Sequence, residues 1–165
     1  MRTPRRAAAR VAVLVAAGTV AVLAIGAGNA FGGQIKICKS INPGSIDSLQ
    51  NKTFSFTITT NHPSYPGPYT VTGLRGGECA LVSRGWYALD IPHIRPNLSP
   101  TQVTVTESTG PWVVQSIGVS LSRGNVQKSC TTDSLGRSTC QPWVSFDLAP
   151  GVNIVSFTNR AAPVF

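Results

Sequence analysis

Three short segments lie near the start, the middle and the end of the chain. Each has one polar residue at a position that alternates with the same parity as its apolar residues. The segments are Gln34–Lys39, Val103–Glu107 and Ile154–Asn159. Side chains of a β-strand alternate between its two faces with a period of two. Lys39, Glu107 and Asn159 are therefore expected on core-facing positions, where an unpaired amine, acid or carboxamide is costly. The pattern predicts a β-domain in which these three side chains meet.

Alternation typical of strands recurs along the rest of the sequence and indicates the fold class. The predicted strands cover residues 52–60, 69–72, 79–82, 86–91, 101–107, 113–121, 144–148 and 152–158. Glycine and proline separate these runs, as they do between the strands of a sandwich or barrel. Helical periodicity is absent after the first thirty residues, so no further helix is expected. We predict an all-β fold, a single antiparallel sandwich at residues 33–160, with a short tail at 161–165.

The first thirty residues have the features of a secretory signal. Four arginines precede residues 11–26, which carry no charge, and small residues follow at 28–30. An uncleaved membrane anchor is the alternative, because the apolar stretch approaches the length that spans a bilayer. We therefore expect a secreted or extracellular protein, in contact with a membrane only through this segment if it stays attached.

Four cysteines follow the export segment, and their number and context favour disulfide bonds. Cys130 and Cys140 flank the turn-rich residues 133–136, which can fold back as a hairpin and bring the two together. Cys38 then pairs with Cys79, and its parity in the strand places it on the outer face. A zinc site is the alternative, although there is no C-x-x-C motif and neither histidine is near a cysteine pair.

Charge and motif content argue against nucleic-acid binding and against catalysis. Four of the 14 basic residues lie in the signal, and the other ten are scattered singly against six acids, which is not the pattern of a nucleic-acid interface. His62 and His93 are the only imidazoles, and no serine lies in a nucleophile elbow. Dinucleotide and phosphate-binding motifs are also absent from the sequence. We expect a protein that is not an enzyme and has no cofactor and no metal; the sequence names no ligand.

Three motifs carry a resemblance to a known family. They are residues 33–39, residues 104–107 with Pro111 and Trp112 behind them, and residues 155–160. Together they resemble the prealbumin-like domains of Gram-positive surface proteins, the collagen-adhesin B-type and pilin-like modules. The resemblance extends over residues 33–160 and implies a prealbumin-like sandwich, of transthyretin- or Ig-like type.

The resemblance also implies an intramolecular isopeptide bond. In such domains a lysine of the first strand joins an asparagine of the last strand, assisted by an acid from between them. By position these are Lys39, Asn159 and Glu107. Burial would lower the pKa of the lysine and raise that of the acid, as the reaction needs. The alternative is that Lys39 reaches water and Asn159 satisfies a turn, because both lie near strand ends.

The expected function is that of a secreted, non-enzymatic structural or adhesive domain of a bacterial envelope. It is expected to be a monomer whose partner is an unknown protein or a cell-wall polymer. The alternatives are a secreted binding protein or enzyme inhibitor that acts through the exposed loop Asp90–Asn97, and an unrecognised hydrolase. Trp86, Trp112 and Trp143 could form a sugar-stacking platform, although core or interface positions suit the last two better.

Overall fold

The computed structural model describes residues 32–122 and 124–163, so the predicted signal at residues 1–30 lies outside the described part. Strands dominate this part, as the alternation predicted. They are β1 (Gly32–Ile41), β2 (Phe54–Thr60), β3 (Tyr69–Leu74), β4 (Cys79–Leu81), β5 (Ser83–Arg84), β6 (Tyr87–Ala88), β7 (Ile91–Pro92), β8 (Gln102–Glu107), β9 (Trp112–Ser120), β10 (Val126–Gln127), β11 (Cys130–Thr132), β12 (Ser138–Cys140), β13 (Trp143–Asp147) and β14 (Gly151–Ala161).

Two sheets form a sandwich. The first has the order β11-β12-β9-β14-β1-β4, with β7 also paired to β1, and the second has the order β10-β13-β8-β2-β3. β1 and β14 pair in parallel, and the other described pairs are antiparallel. The predicted all-β sandwich is confirmed, and the parallel pair puts the first and last strands side by side at its centre.

The core lies between the two sheets and is built from alternate residues of their strands. Ile35 and Ile37 of β1 are buried with Val103 and Val105 of β8. The ring of Phe157 on β14 packs against a phenylalanine of the opposite sheet at a centroid distance of 5.2 Å. Buried faces therefore follow the period of two seen in the sequence, which is the register that decides where the polar residues point.

The expectation that no helix follows the signal is wrong. A 3-10 turn at Pro43–Ser45 leads into the one-turn helix α1 (Ile46–Leu49). The Asn42 side chain accepts a hydrogen bond from the Gly44 amide at 2.9 Å, and proline at the first helical position fixes the backbone. So short a helix buries little beyond Leu49 and shows no periodicity. No helix in the described residues is long and apolar enough to cross a bilayer.

The strand predicted at residues 86–91 is interrupted. β5 and β6 form a separate hairpin with Gly85 and Trp86 at its tip, and Gly85 has a φ of +64°. A left-handed conformation at such a tip suits glycine. After the hairpin the chain returns to the sheet edge as β7, which pairs with Gly32 and Gly33 of β1.

Candidate functional site: a buried lysine, glutamate and asparagine

Lys39, Glu107 and Asn159 come from three strands and meet between the two sheets. Lys39 lies near the end of β1 and Asn159 near the end of the parallel neighbour β14, while Glu107 ends β8 of the opposite sheet. Parallel pairing matters here, because it brings the late part of the first strand beside the late part of the last. The three residues are 1%, 1% and 0% exposed. The meeting of side chains inferred from strand parity is therefore present in the structure.

The Glu107 carboxylate connects the other two groups. The Lys39 amine Nζ lies 3.1 Å from Oε1 and 3.2 Å from Oε2 of Glu107. The Asn159 amide Nδ2 donates a hydrogen bond to the same Oε1 at 2.5 Å. Amine and carboxamide thus contact a single oxygen of one carboxyl group. If Lys39 reached water and Asn159 capped a turn, the two side chains would lie farther apart than they do here.

Aromatic rings enclose the cluster. The Lys39 amine lies 4.4 Å from the centroid of the Phe54 ring, a cation–π distance. Trp112 packs against the same phenylalanine, with ring centroids 4.7 Å apart, and its side chain hydrogen-bonds Glu107. The rings exclude water while leaving the polar groups in contact with one another. Phe54 was not assigned to this cluster from the sequence, and Trp112 was considered there as part of a motif and as a core or interface residue. The available signal was the aromatic residue that begins each of their strands.

Burial shifts the pKa of both ionisable groups. Loss of hydration lowers the pKa of Lys39 from 10.5 to about 8, with the Glu107 charge opposing that change. The same loss of hydration raises the pKa of Glu107, against the opposing effects of Lys39 and of hydrogen bonds from Asn159 and Trp112. Both shifts favour the uncharged forms. An amine, a carboxylic acid and a carboxamide in contact are the groups that acyl transfer between side chains requires.

The Asn159 oxygen distinguishes this residue from an ordinary buried asparagine. Its Oδ1 is buried without a hydrogen-bond partner among the described residues. Asn153 lies on the same face of β14 and is equally buried, yet its side chain accepts from the Ala149 amide at 3.0 Å and donates to the Ala149 carbonyl at 2.8 Å. Buried polar atoms are rarely left unpaired in a purely structural role. Asn153 therefore holds a turn, whereas Asn159 leaves its carbonyl open.

The lysine pKa leads to a prediction for the Asn159→Ala variant, in which the amine has no carboxamide to react with. Between pH 8 and pH 10.5 the unfolded chain binds more protons at Lys39 than the folded one. The free energy of unfolding should therefore rise with pH across this window, by about 1–3 kcal/mol. Urea titrations at both ends of the window measure it. The double variant Lys39→Met/Asn159→Ala is the control and should lose the rise; equal slopes in the two variants would contradict the assignment.

The two predicted disulfides are confirmed. Cys38 and Cys79 join β1 to the edge strand β4, and Cys130 and Cys140 join the edge strand β11 to β12, with Cα–Cα distances of 4.1 and 3.9 Å. Each pair consists of residues directly opposite in the register. Cys38 is half-buried on the outer face, as its parity predicted. All four cysteines are bonded in this way, so the zinc alternative is wrong.

The other candidate residues do not come together. His62 and His93 are both buried, in separate connections, and His93 lies inside the loop that was considered as an inhibitory surface. Trp86 stands on the β5–β6 hairpin, whereas Trp112 and Trp143 are half-buried on different sheets. The three tryptophans therefore form no common sugar-stacking platform. Asp90–Asn97 does connect the first sheet to the second, as predicted.

Comparison with known proteins finds matches among solved structures. No family model matches the chain, and no curated protein matches its sequence. The pilus-presented adhesin Cpa is 12% identical with a TM-score of 0.49, over 81% of this chain and 28% of that chain. A Mobiluncus mulieris adhesin described as containing intramolecular disulfide, isopeptide and ester cross-links is 16% identical with a TM-score of 0.45, over 81% and 42%. The major pilin of Streptococcus pyogenes is 11% identical with a TM-score of 0.34, over 81% and 49%.

The solved structures are therefore pilins and adhesins, as the sequence resemblance predicted. The chain spans between about a quarter and a half of the length of each of these chains.

Proposed function

We propose that the chain is a secreted, non-enzymatic structural or adhesive domain of a bacterial cell envelope, in which an isopeptide bond joins Lys39 to Asn159. The contact of both side-chain nitrogens with one oxygen of buried Glu107 carries the proposal. The role of this bond is to hold the domain together while force is applied to the two ends of the domain. The partner at those ends is a protein or a cell-wall polymer.

A cross-link explains features of the cluster that a salt bridge leaves unexplained. Taking a lysine and a glutamate fully out of water is costly, and a well-packed apolar pair often replaces a buried ion pair without loss of stability. The cluster also includes a carboxamide whose oxygen is unpaired. In a reaction each of these features has a use: the amine attacks, the acid moves protons and the open carbonyl accepts the attack.

The reaction begins with a proton transfer from the Lys39 ammonium to Glu107, which burial favours because it removes both charges. Rotation of the Asn159 amide then lets its Oδ1 accept a hydrogen bond from the protonated carboxyl, which polarises the carbonyl. The neutral Nζ attacks Cγ, and Glu107 carries a proton from Nζ to Nδ2. The Cγ–Nδ2 bond breaks and ammonia leaves. One C–N bond has formed and one has broken, and Glu107 is left protonated with the proton that it took from the lysine ammonium.

The positions of the covalent links fit a structural role. The two disulfides attach the edge strands β4 and β11 of the first sheet, while the proposed isopeptide joins the interior strands β1 and β14. Unpaired sheet edges are where strands separate or pair wrongly. All three links therefore lie in one sheet, and the central one connects the first strand to the last. Tension applied to the two ends would pass directly between β1 and β14.

Mechanical unfolding tests this proposal. Under reducing conditions, the wild-type domain pulled from both ends should not release the chain between Lys39 and Asn159, because the isopeptide resists reduction. The Glu107→Ala variant should release roughly 120 residues, which extend by about 400 Å at 3.3–3.6 Å per residue. Asn153→Ala is the control and should behave as wild type in extension. A full-length extension step in the reduced wild-type protein would contradict the proposal.

A further inference from the structure

Four large apolar side chains are exposed in one stretch of the chain, on either side of β7. Trp86 is 100% exposed and Tyr87 80% exposed on the β5–β6 hairpin, and Leu98 is 85% exposed in the connection that follows β7. Ile94 lies between them and is half-exposed. We call residues 83–100 the β7 rim. Ile94 and Leu98 line one pocket, and Trp86 and Tyr87 stand on the hairpin just before it in the chain. Large exposed apolar groups in this number are more typical of a binding surface than of a bare one.

Leu98 is held there against the preference of its own backbone. Its φ is +63°, in a tight turn closed by hydrogen bonds from the Leu98 amide to the Arg95 carbonyl and from the Arg95 amide to the Ser99 carbonyl, both 2.9 Å. Such a position favours glycine or asparagine, and a bulky side chain there is an outlier. The leucine also buries little of its surface within the domain. Both features are unfavourable for the isolated domain, and a contact outside it would compensate for them.

The β7 rim lies beside the point where the chain enters the domain. β7 pairs with Gly32 and Gly33 at the start of β1. The apolar segment at residues 11–26 ends only a few residues earlier in the sequence. Those intervening residues can span roughly 20 Å at most when fully extended. Where the apolar segment remains in a bilayer as an anchor, the β7 rim is therefore held close to the lipid surface.

The composition of the rim suits lipid. Tryptophan and tyrosine concentrate at membrane–water interfaces, where the ring is buried and its polar edge remains wet. Arg84 and Arg95 add positive charge, and the single acid of this stretch, Asp90, has its carboxylate against the Gly32 backbone. We propose that the β7 rim docks on an anionic lipid surface, with Trp86 and Leu98 entering the interface. This places the domain relative to the membrane and goes beyond its proposed structural role.

The test uses the exported form of the chain and vesicles of phosphatidylcholine with or without phosphatidylglycerol. The wild type should sediment with the phosphatidylglycerol vesicles, and its tryptophan emission should shift to shorter wavelength as Trp86 leaves water. Trp86→Ser and Leu98→Asn should each weaken partitioning at least about tenfold. The Leu98→Asn variant should melt at the same temperature as wild type or higher, because asparagine accepts the left-handed backbone. Its loss of binding is therefore separable from unfolding.

Ile46→Asn is the matched control, since Ile46 is also exposed but lies in α1, after the opposite end of β1. It should bind vesicles as wild type does. Absence of sedimentation of the wild type with phosphatidylglycerol, or unchanged binding by Trp86→Ser and Leu98→Asn, would overturn the proposal. A concentration-dependent emission shift with dimer formation, in place of lipid binding, would assign the β7 rim to contact between two copies and overturn it equally.

Discussion

After reduction of its disulfides, the exported protein should have a mass that is one ammonia below the mass calculated from its sequence. The reason is the proposed reaction between Lys39 and Asn159, which releases one ammonia for each bond formed. Burial of the pair and contact with Glu107 favour the reaction as the domain folds, without any added enzyme. Intact-mass measurement of the reduced protein gives the answer directly, and peptide mapping should recover Lys39 and Asn159 in one branched peptide.

Variants identify which residues carry out the reaction. Lys39→Met, Asn159→Ala and Glu107→Ala should each restore the full mass, the first two by removing a reacting group and the third by removing the proton carrier. Asn153→Ala is the matched control, because Asn153 is equally buried on the same face of β14 but is fully hydrogen-bonded. It should keep the ammonia loss. A full-mass wild type, or an unchanged loss in Glu107→Ala, would show that the mechanism is wrong.

Loss of the cross-link should also lower stability by a large amount. A bond between residues roughly 120 positions apart contributes about 4–5 kcal/mol in the chain-entropy description. Glu107→Ala in addition leaves a buried lysine without its partner, which costs about 3–5 kcal/mol. We expect the melting temperature of Glu107→Ala to fall by at least about 10 °C. Calorimetry measures it, and Asn159→Ala separates the cross-link from the unpaired charge.

The second large effect should follow from removal of the Cys38–Cys79 disulfide. This bond closes a sequence separation of 41 residues, against 10 for Cys130–Cys140. In the chain-entropy description the first is worth about 4 kcal/mol and the second about 2–3 kcal/mol. The longer loop also fixes β4, which pairs with β1 through only three residues. Cys38→Ala/Cys79→Ala should therefore be less stable than Cys130→Ala/Cys140→Ala, as measured by urea unfolding.

The control for this ranking is chemical. Peptide mapping without reductant should recover only the two pairs present in the structure in the wild type, and only the one remaining pair in each double variant. Recovery of Cys38 linked to Cys130 or Cys140 would refute the pairing. Equal destabilisation by the two double variants, with the pairing intact, would show that strand β4 is held by its packing rather than by the bond.

Strand parity determined much of this protein in advance. The period of two placed Lys39, Glu107 and Asn159 in line with buried residues and put Cys38 on the outer face, and the structure agrees on each of these. The turn residues between Cys130 and Cys140 were enough to predict the disulfide between them, and the pairing of the two remaining cysteines followed. These features depend on short-range geometry, which a single sequence contains.

Longer-range features needed the folded chain. The parallel pairing of β1 and β14 decides that the ends of the first and last strands are neighbours, and sequence alternation is the same in parallel and antiparallel strands. The contact of Lys39 and Asn159 with one oxygen of Glu107, and the unpaired Asn159 carbonyl, depend on the distance between two sheets. The left-handed turn at Leu98 and the hairpin that carries Trp86 lie in connections whose backbone the alternation of residues does not describe. Parity fixes which face a side chain is on, but only tertiary packing fixes what it meets there.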